Sequence, residues 1–487
     1  MKHSSIIAFI FSAIYSLLTA FVLASSSNDG PFYDSTAYTE CRAEPEKPLY
    51  NGGMLNEKEA SVSGGDTLRS VGASYTPAYI LHNLTQNTIY CFSIWVKIKA
   101  GSASTARVRA KLRSDNATLN CVGSVSAKQG CWSFLKGGFL LDSPSQLSIL
   151  FFETSNDDGR TQLEVASASL QPFTQEQWKN NQDYFINTAR KRAVTIHVAG
   201  ESGESVEGAV VNVEQIAKDF PIGSAISKTI LGNIPYQNEL KCLMTRYRGE
   251  FVHWDVSNEM LHFDFYESRL GKNASYELFA AARELDSLAT LFLNDFNVVE
   301  TCSDERSTVD EYITRVRELE RYDGGGMRMD GVGLEGHFTR PNVALMRANL
   351  DKLATLELPV WLTEIDISST LDHRTQAIYL EQVLREGFSH PSVNGIILWT
   401  ALHPNGCYQM CLTDDKFHNL PAGDVVDQKL LEWTTGEVKA KTDDHGTFSF
   451  LGFLGEYRVS IMYEGKTVNS SFSLSRDPET KHVRLRI

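Results

Sequence analysis

Positive charge is scarce in this chain of 487 residues: 46 lysines and arginines face 60 aspartates and glutamates, a formal net charge of −14. That balance argues against nucleic acid or an anionic membrane as the main partner, whereas a neutral polymer would feel none of the field. Long apolar runs are also lacking beyond Ala24, so no later stretch is expected to span a bilayer. Internal repeats and low-complexity tracts are missing. So is metal-ligand spacing: Cys407 and Cys411 have no matching Cys or His pair at zinc spacing, and no acidic cluster follows a calcium-loop pattern. No metal and no cofactor is therefore expected. The one long apolar run, Ile6 to Ala24, follows Lys2 and His3 and ends in Val22-Leu23-Ala24 before Ser25. It reads as a signal peptide over 1–24, although its length also suits an uncleaved anchor.

What is present is ordinary for a globular protein, with 42% hydrophobic and 22% charged residues, and the length implies several domains. Secretion makes two other features coherent. Sequons at Asn83, Asn116, Asn273 and Asn469 would carry glycans on exposed turns. The eight cysteines, Cys41, Cys91, Cys121 and Cys131 early and Cys242, Cys302, Cys407 and Cys411 later, would form disulfides in an oxidising compartment, with the pairing left open.

Residues 40–172 alternate short apolar runs with Gly, Ser and Asn turns, as in Tyr90 to Val96 and Gln146 to Phe152, and predict a β-sandwich. Within it Tyr75, Tyr79, Trp95 and Trp132 are candidate sugar platforms, with Trp95 the better core residue. From Phe220 the texture changes to strands alternating with amphipathic helices, the signature of a parallel sheet. The strands are read at 220–225, 251–256, 290–293, 331–334, 360–365 and 395–398. The helical stripes are Leu278, Ala281, Ala282, Leu285 and Leu288, then Tyr312, Val316 and Leu319, then Leu345 and Leu350 behind Pro341, then Ile378, Val383 and Leu384 before Gly387. Series alternation favours a (β/α)₈ barrel over 218–434. The tail 435–487 returns to strand texture, and pairing with 190–217 would make a small β domain.

Two strands end in a glutamate: Trp254-Asp255-Val256-Ser257-Asn258-Glu259 and Val360-Trp361-Leu362-Thr363-Glu364. The carboxyl ends of barrel strands are where such enzymes assemble their sites. Glycosidic hydrolysis needs one carboxyl to protonate the leaving oxygen and another to attack or stabilise the anomeric carbon. Taken singly, each is an ordinary strand-end acid. Together, on this scaffold, they point to a glycosidase.

The strings WDVSNEMLH (254–262), GVGLEGH (331–337) and LTEIDIS (362–368) closely resemble the glycoside hydrolase family 10 xylanases, and FPIGSAI (220–226) and GIILWTALHPNGCYQMCLTD (395–414) look like that family's first and eighth strands. The leading module resembles a family 22 carbohydrate-binding module, and the whole is similar to the plant members. The resemblance implies endo-acting, retaining hydrolysis of β-1,4-xylan by a secreted cell-wall protein, with xylan as partner. It makes Glu259 the acid/base and Glu364 the nucleophile, with His337 bonded to Glu364, Asp366 steadying His337, Asn258 on the sugar 2-hydroxyl and Trp399 facing a sugar ring. Glu335 stands where many members have Gln. The pattern breaks between Ile226 and Phe251, where the family would carry strands two and three. Tyr236 to Cys242 looks like a junction. A non-catalytic xylan-binding protein is therefore the second reading, and a retaining glycosidase acting on another β-1,4-glycan is the third.

Overall fold

The structure is a computed structural model that describes residues 30–56, 77–99, 104–115, 118–155, 162–225, 253–322, 328–401 and 406–487. The leader-like run 1–24, Tyr75, Asn116 and the junction 236–242 lie outside the described residues.

The first third folds as two facing sheets. β1 (Ala78–Leu84), β6 (Ser145–Thr154), β3 (Thr105–Ser114) and β4 (Leu119–Lys128) form one, in that order; β5 (Ser133–Phe139), β2 (Ile89–Ile98) and β7 (Leu163–Phe173) form the other. Alternation along β2 sends Tyr90, Phe92, Ile94, Val96 and Ile98 into the core between the sheets. Its other face is also covered. Ile89 and Cys91 pack with Tyr33, Trp178, Val343 and Ala344, while Trp95 packs with Trp132 and Phe134. This corrects the platform reading: Trp95 is 1%, Tyr79 5% and Trp132 9% exposed, so none offers a free ring.

Helix α1 (Gln175–Ala189) leads out of the sandwich and starts with a capping box between Thr174 and Gln177. β8 (Lys191–Ala199) and β9 (Val210–Lys218) then enter a second pair of sheets completed by the chain's tail. There β16 (Glu437–Lys441), β9, β18 (Gly455–Tyr463) and β19 (Lys466–Leu474) form one sheet; β17 (Thr447–Phe453), β8 and β20 (Lys481–Arg486) form the other. The ends flanking the middle segment are thereby brought together.

Between them lie six parallel strands in the order β10 (Ile222–Ser224), β15 (Val393–Leu398), β14 (Val360–Ile367), β13 (Gly331–Phe338), β12 (Thr290–Asp295) and β11 (His253–Asn258). β10 and β11 are the edges of this sheet among the described residues. The connecting helices are α2 (Ala274–Leu285), α3 (Val309–Arg321), α4 (Val343–Ala354) and α5 (His373–Ser389), with α6 (Pro421–Glu432) after β15. Thr308 caps α3 through the Glu311 N–H, and Asp372 caps α5 through the Arg374 and Thr375 N–H groups, so those helices begin where a side-chain acceptor satisfies free amides. Tyr312, Val316 and Leu319 are buried as read, but Leu288 is 80% and Ile378 49% exposed, and in α2 it is Phe279 that seals the core. Gly387 lies inside α5 rather than after it. A Cβ there would sit 2.6 Å from Leu362 Cδ1, so glycine lets the helix lie close on the sheet.

α4 is buried almost all round, because one face packs on the parallel sheet and the other on β5. Its Asn342 cap also donates from Nδ2 to the Gly138 carbonyl (2.9 Å), and Lys136 of β5 reaches Asp351 (2.8 Å). Cys121 of β4 is bonded to Cys302 after β12, a second tie between sandwich and parallel sheet. Cys41–Cys131 and Cys407–Cys411 are also disulfides, and Cys91 is a buried thiol. No helix among the described residues is long and apolar enough to cross a membrane.

Candidate functional site

The ladder between β13 and β14 builds the centre of the site. After a bulge between Leu334 and Glu335, Glu335 lies opposite Glu364 and His337 opposite Asp366. The two-residue period of a strand puts all four side chains on one face, near the carboxyl ends of their strands. His337 Nδ1 contacts Asp366 Oδ1 at 3.0 Å. Its Nε2 lies 3.3 Å from Glu335 Oε2 and 3.8 Å from Glu364 Oε2. The expected bond from His337 to Glu364 is thus replaced by a bond to Glu335, two residues away on the same strand, while Glu364 is held as an ion pair. The pairing with Asp366 is as read.

Glu259 follows β11 directly and adopts φ +56°, a left-handed backbone that costs a non-glycine residue of order 1 kcal/mol. The turn is pinned from three sides: Glu259 N–H donates to the Asn294 carbonyl (2.9 Å), and the Glu259 carbonyl accepts from His262 (3.1 Å) and Phe263 (2.9 Å). Such strain at a strand end is a common mark of a working residue.

Asn294, fully buried at the end of β12, joins the pieces. Its Nδ2 donates to Asn258 Oδ1 (2.8 Å) and Glu335 Oε1 (2.9 Å), and its Oδ1 accepts from the Thr363 hydroxyl. One amide therefore spans β11, β13 and β14. Next to it, Asp295 accepts from Leu261 N–H (2.7 Å) and pairs with His262, whose Nε2 contacts Asp304 (3.0 Å) and whose ring stacks on Phe296 at 3.7 Å. Burial works against charge on His262, but its hydrogen bonds to Asp304 and Asp295 raise it above the ordinary value.

The electrostatics are acidic at the core. Burial, then the neighbouring Glu335, pushes the Glu364 carboxyl up to about 8 against the pull of His337. Burial, then Glu335 and Asp295, also raises Glu259. Burial opposes charge on His337, yet its hydrogen bonds to Asp366 and Glu335 prevail and push it up to about 10, so an imidazolium sits among the carboxyls. Burial and like charge thus raise both carboxyls, and His337 opposes the rise at each.

Trp399, one residue beyond β15, is 36% exposed, and its N–H donates to the Ile365 carbonyl (2.9 Å). The six site residues inferred from sequence thus lie at the same ends of neighbouring strands. Asn83, Asn273 and Asn469 are exposed on the surface. The sequence reading missed Asn294, Asp295 and His262, although Leu293-Asn294-Asp295 has the strand-end form that exposed Asn258-Glu259. It also missed Tyr408, which is 66% exposed inside the Cys407–Cys411 loop with its ring 6.1 Å from that of His337.

Comparison with known proteins places this arrangement. Residues 218–414 match glycosyl hydrolase family 10. The chain is 29% identical to endo-1,4-beta-xylanase 5 of Arabidopsis thaliana, over 95% of each chain. It is also 29% identical to endo-1,4-beta-xylanase 4 of the same plant, over 97% of each. Among solved structures, xylanase 10B from Thermotoga petrophila aligns with 20% identity and a TM-score of 0.34, covering 42% of this chain and 70% of that one. The parallel strands that carry these acids at their carboxyl ends thus fall within the segment that matches glycosyl hydrolase family 10, and over nearly its whole length the chain is similar to plant endo-1,4-beta-xylanases.

Proposed function

We propose that the protein hydrolyses β-1,4-xylan internally, with net retention, using Glu259 as acid/base and Glu364 as nucleophile. The observation that carries this reading is the placement of Glu259 after β11 and Glu364 in β14 of one parallel sheet, with His337 Nε2 3.8 Å from Glu364. The names of the similar plant proteins support the substrate. In the first step Glu259 gives its proton to the glycosidic oxygen as the C–O bond breaks, and Glu364 closes on the anomeric carbon to form an ester. With Glu364 esterified, its charge no longer holds Glu259 in the neutral form. Glu259 becomes the carboxylate that takes a proton from water, and water cleaves the ester.

His337, fixed through Nδ1 by Asp366, supports the ionised Glu364, and Asn258, aligned by Asn294, is assigned to the sugar 2-hydroxyl. Trp399 supplies an exposed ring beside the acids. Secretion to the cell wall, glycans at the four sequons and xylan capture by the leading sandwich complete the proposal. The disulfides favour an oxidising compartment. For the sandwich, its buried aromatics argue that any sugar contact is made by other residues.

Incubation with arabinoxylan tests the reading, with product anomers followed by proton NMR. The expected outcome is release of oligosaccharides whose first-formed anomer is β, absent with Glu364→Ala. Equal release by protein and variant ends the proposal. Retention of the protein in xylan-containing native gels without any turnover favours the second reading, a polysaccharide-binding protein.

A further inference from the structure

Three ligand-type atoms converge in the site in a way that glycoside hydrolysis does not require. One oxygen each of Glu335 and Glu364 and one nitrogen of His337 all lie within 4.8 Å of one another. The individual separations from His337 Nε2 are 3.3 Å to Glu335 Oε2 and 3.8 Å to Glu364 Oε2. A tetrahedral Zn²⁺ holds nitrogen and oxygen ligands at about 2.0–2.2 Å, which sets neighbouring ligand atoms about 3.4 Å apart. The two sides that meet at His337 Nε2 therefore lie within a few tenths of an ångström of that spacing, and the third is no longer than 4.8 Å.

The surroundings have the form of a metal site's supporting layer. A metal-binding imidazole commonly gives its other nitrogen to a carboxylate, which fixes the ring and strengthens the ligand. His337 does this with Asp366, which is fully buried and whose Oδ2 has no hydrogen-bond partner among the described residues, so its contact is with His337 alone. Glu335, 1% exposed, is fixed through its second oxygen by Asn294. His337 and Glu364 keep side-chain exposures of 28% and 14%, which leaves a fourth position open on the solvent side. Chain spacing hid the set, because Glu335-Gly336-His337 and Glu364 belong to different strands.

We propose that Glu335, His337 and Glu364 form a binding site for a divalent transition cation, Zn²⁺ first among them, with solvent as the fourth ligand. Two carboxylates and one imidazole match the oxygen and nitrogen donors that Zn²⁺ accepts. Binding displaces the proton on His337 Nε2 to solvent and occupies Glu364, so the cation is an inhibitor rather than a cofactor. That consequence rests on the function proposed above, while the binding itself does not.

Isothermal titration of the full chain with zinc chloride, in a buffer that does not chelate, tests the inference. One binding event per chain is expected, lost in Glu335→Gln and weakened about 10- to 100-fold in Asp366→Asn, which keeps all three ligands. Both variants should unfold cooperatively on heating, which separates a lost ligand from a lost fold. Arabinoxylan hydrolysis should fall along the same zinc curve. No heat of binding, or the same binding in the protein and both variants, overturns the site. Zinc binding that follows this pattern in a protein without hydrolytic activity leaves the site standing and removes the enzymatic reading instead.

Discussion

Asp351 and Glu364 are both shielded from water, yet their surroundings treat a carboxylate in opposite ways. Asp351, on α4 where the sandwich meets the parallel sheet, touches Lys136 at 2.8 Å and His390 at 3.3 Å. Burial alone would raise it, but Lys136, His390 and Arg347 hold it near 2. Beside it, Arg347 pairs with Glu386 at 3.0 Å, and Glu386, which also accepts from Trp178 and Gln182, stays above its ordinary value because burial outweighs those contacts. Glu364 has another carboxylate across the ladder and is pushed up to about 8. One cluster matches its charges to hold two layers together. The other stores acidity that only a bound ligand relieves, and a site kept ready for proton transfer gives up stability to do so.

The comparison is broken most sharply by replacing each acid's essential partner or the acid itself. Glu364→Gln should lower turnover of arabinoxylan by about 10⁴-fold or more while leaving the thermal midpoint unchanged or raised, because an unfavourable buried charge is removed. A fall in midpoint would mean that Glu364 is held as favourably as Asp351. Lys136→Met should cost about 3–5 kcal/mol in urea unfolding, since it strands a buried carboxylate; a cost below about 1 kcal/mol would show that Asp351 is satisfied without it. Third, burial, then Arg347, pushes His390 down to about 4, below its unfolded value of about 6.5, so the unfolded chain binds more protons between those values. His390 should therefore contribute a loss of about 1–3 kcal/mol as pH falls from 6.5 to 4, read as the difference between the protein and His390→Gln, and Asp351 should extend the loss below pH 4. Urea midpoints at pH 7, 5.5 and 4.5 measure it, and His390→Gln should flatten the slope. The smallest effect is expected from Glu335→Gln. Without that like charge Glu364 ionises more readily, so the acid limb of kcat/KM should move down by about one pH unit. An unmoved limb would show that Glu335 does not act on the nucleophile.

Local patterning made the parallel strands and the two glutamates legible, because a strand that ends in an acid leaves its mark in consecutive residues. The paired tail strands were legible for the same reason. Asn294 was not, since its importance comes from neighbours on three strands that converge only in the fold. Nor was the Cys121–Cys302 bond, whose partners are separated by 181 residues. The aromatic residues of the sandwich misled for a physical reason: alternation along β2 puts Trp95 outside the core between its sheets, and only packing by Tyr38, Trp132 and Phe134 shows that this outer side is covered too. Gly387 suggested a helix end, whereas the helix continues through it to lie close on Leu362 and Ile396.

Helix α4 turns one apolar side toward Leu334-bearing β13 and its neighbours and another toward β5, with Val343 and Ala344 seated beside Ile89 and Cys91. A shortened chain that starts at β8 would bare that second side to water and leave Asp351 without its lysine. Attempts to trim the protein to its hydrolase portion should therefore yield insoluble material. The leading sandwich is a fixed structural component of the layer that carries the site, tied to it by α4 and by the Cys121–Cys302 bond.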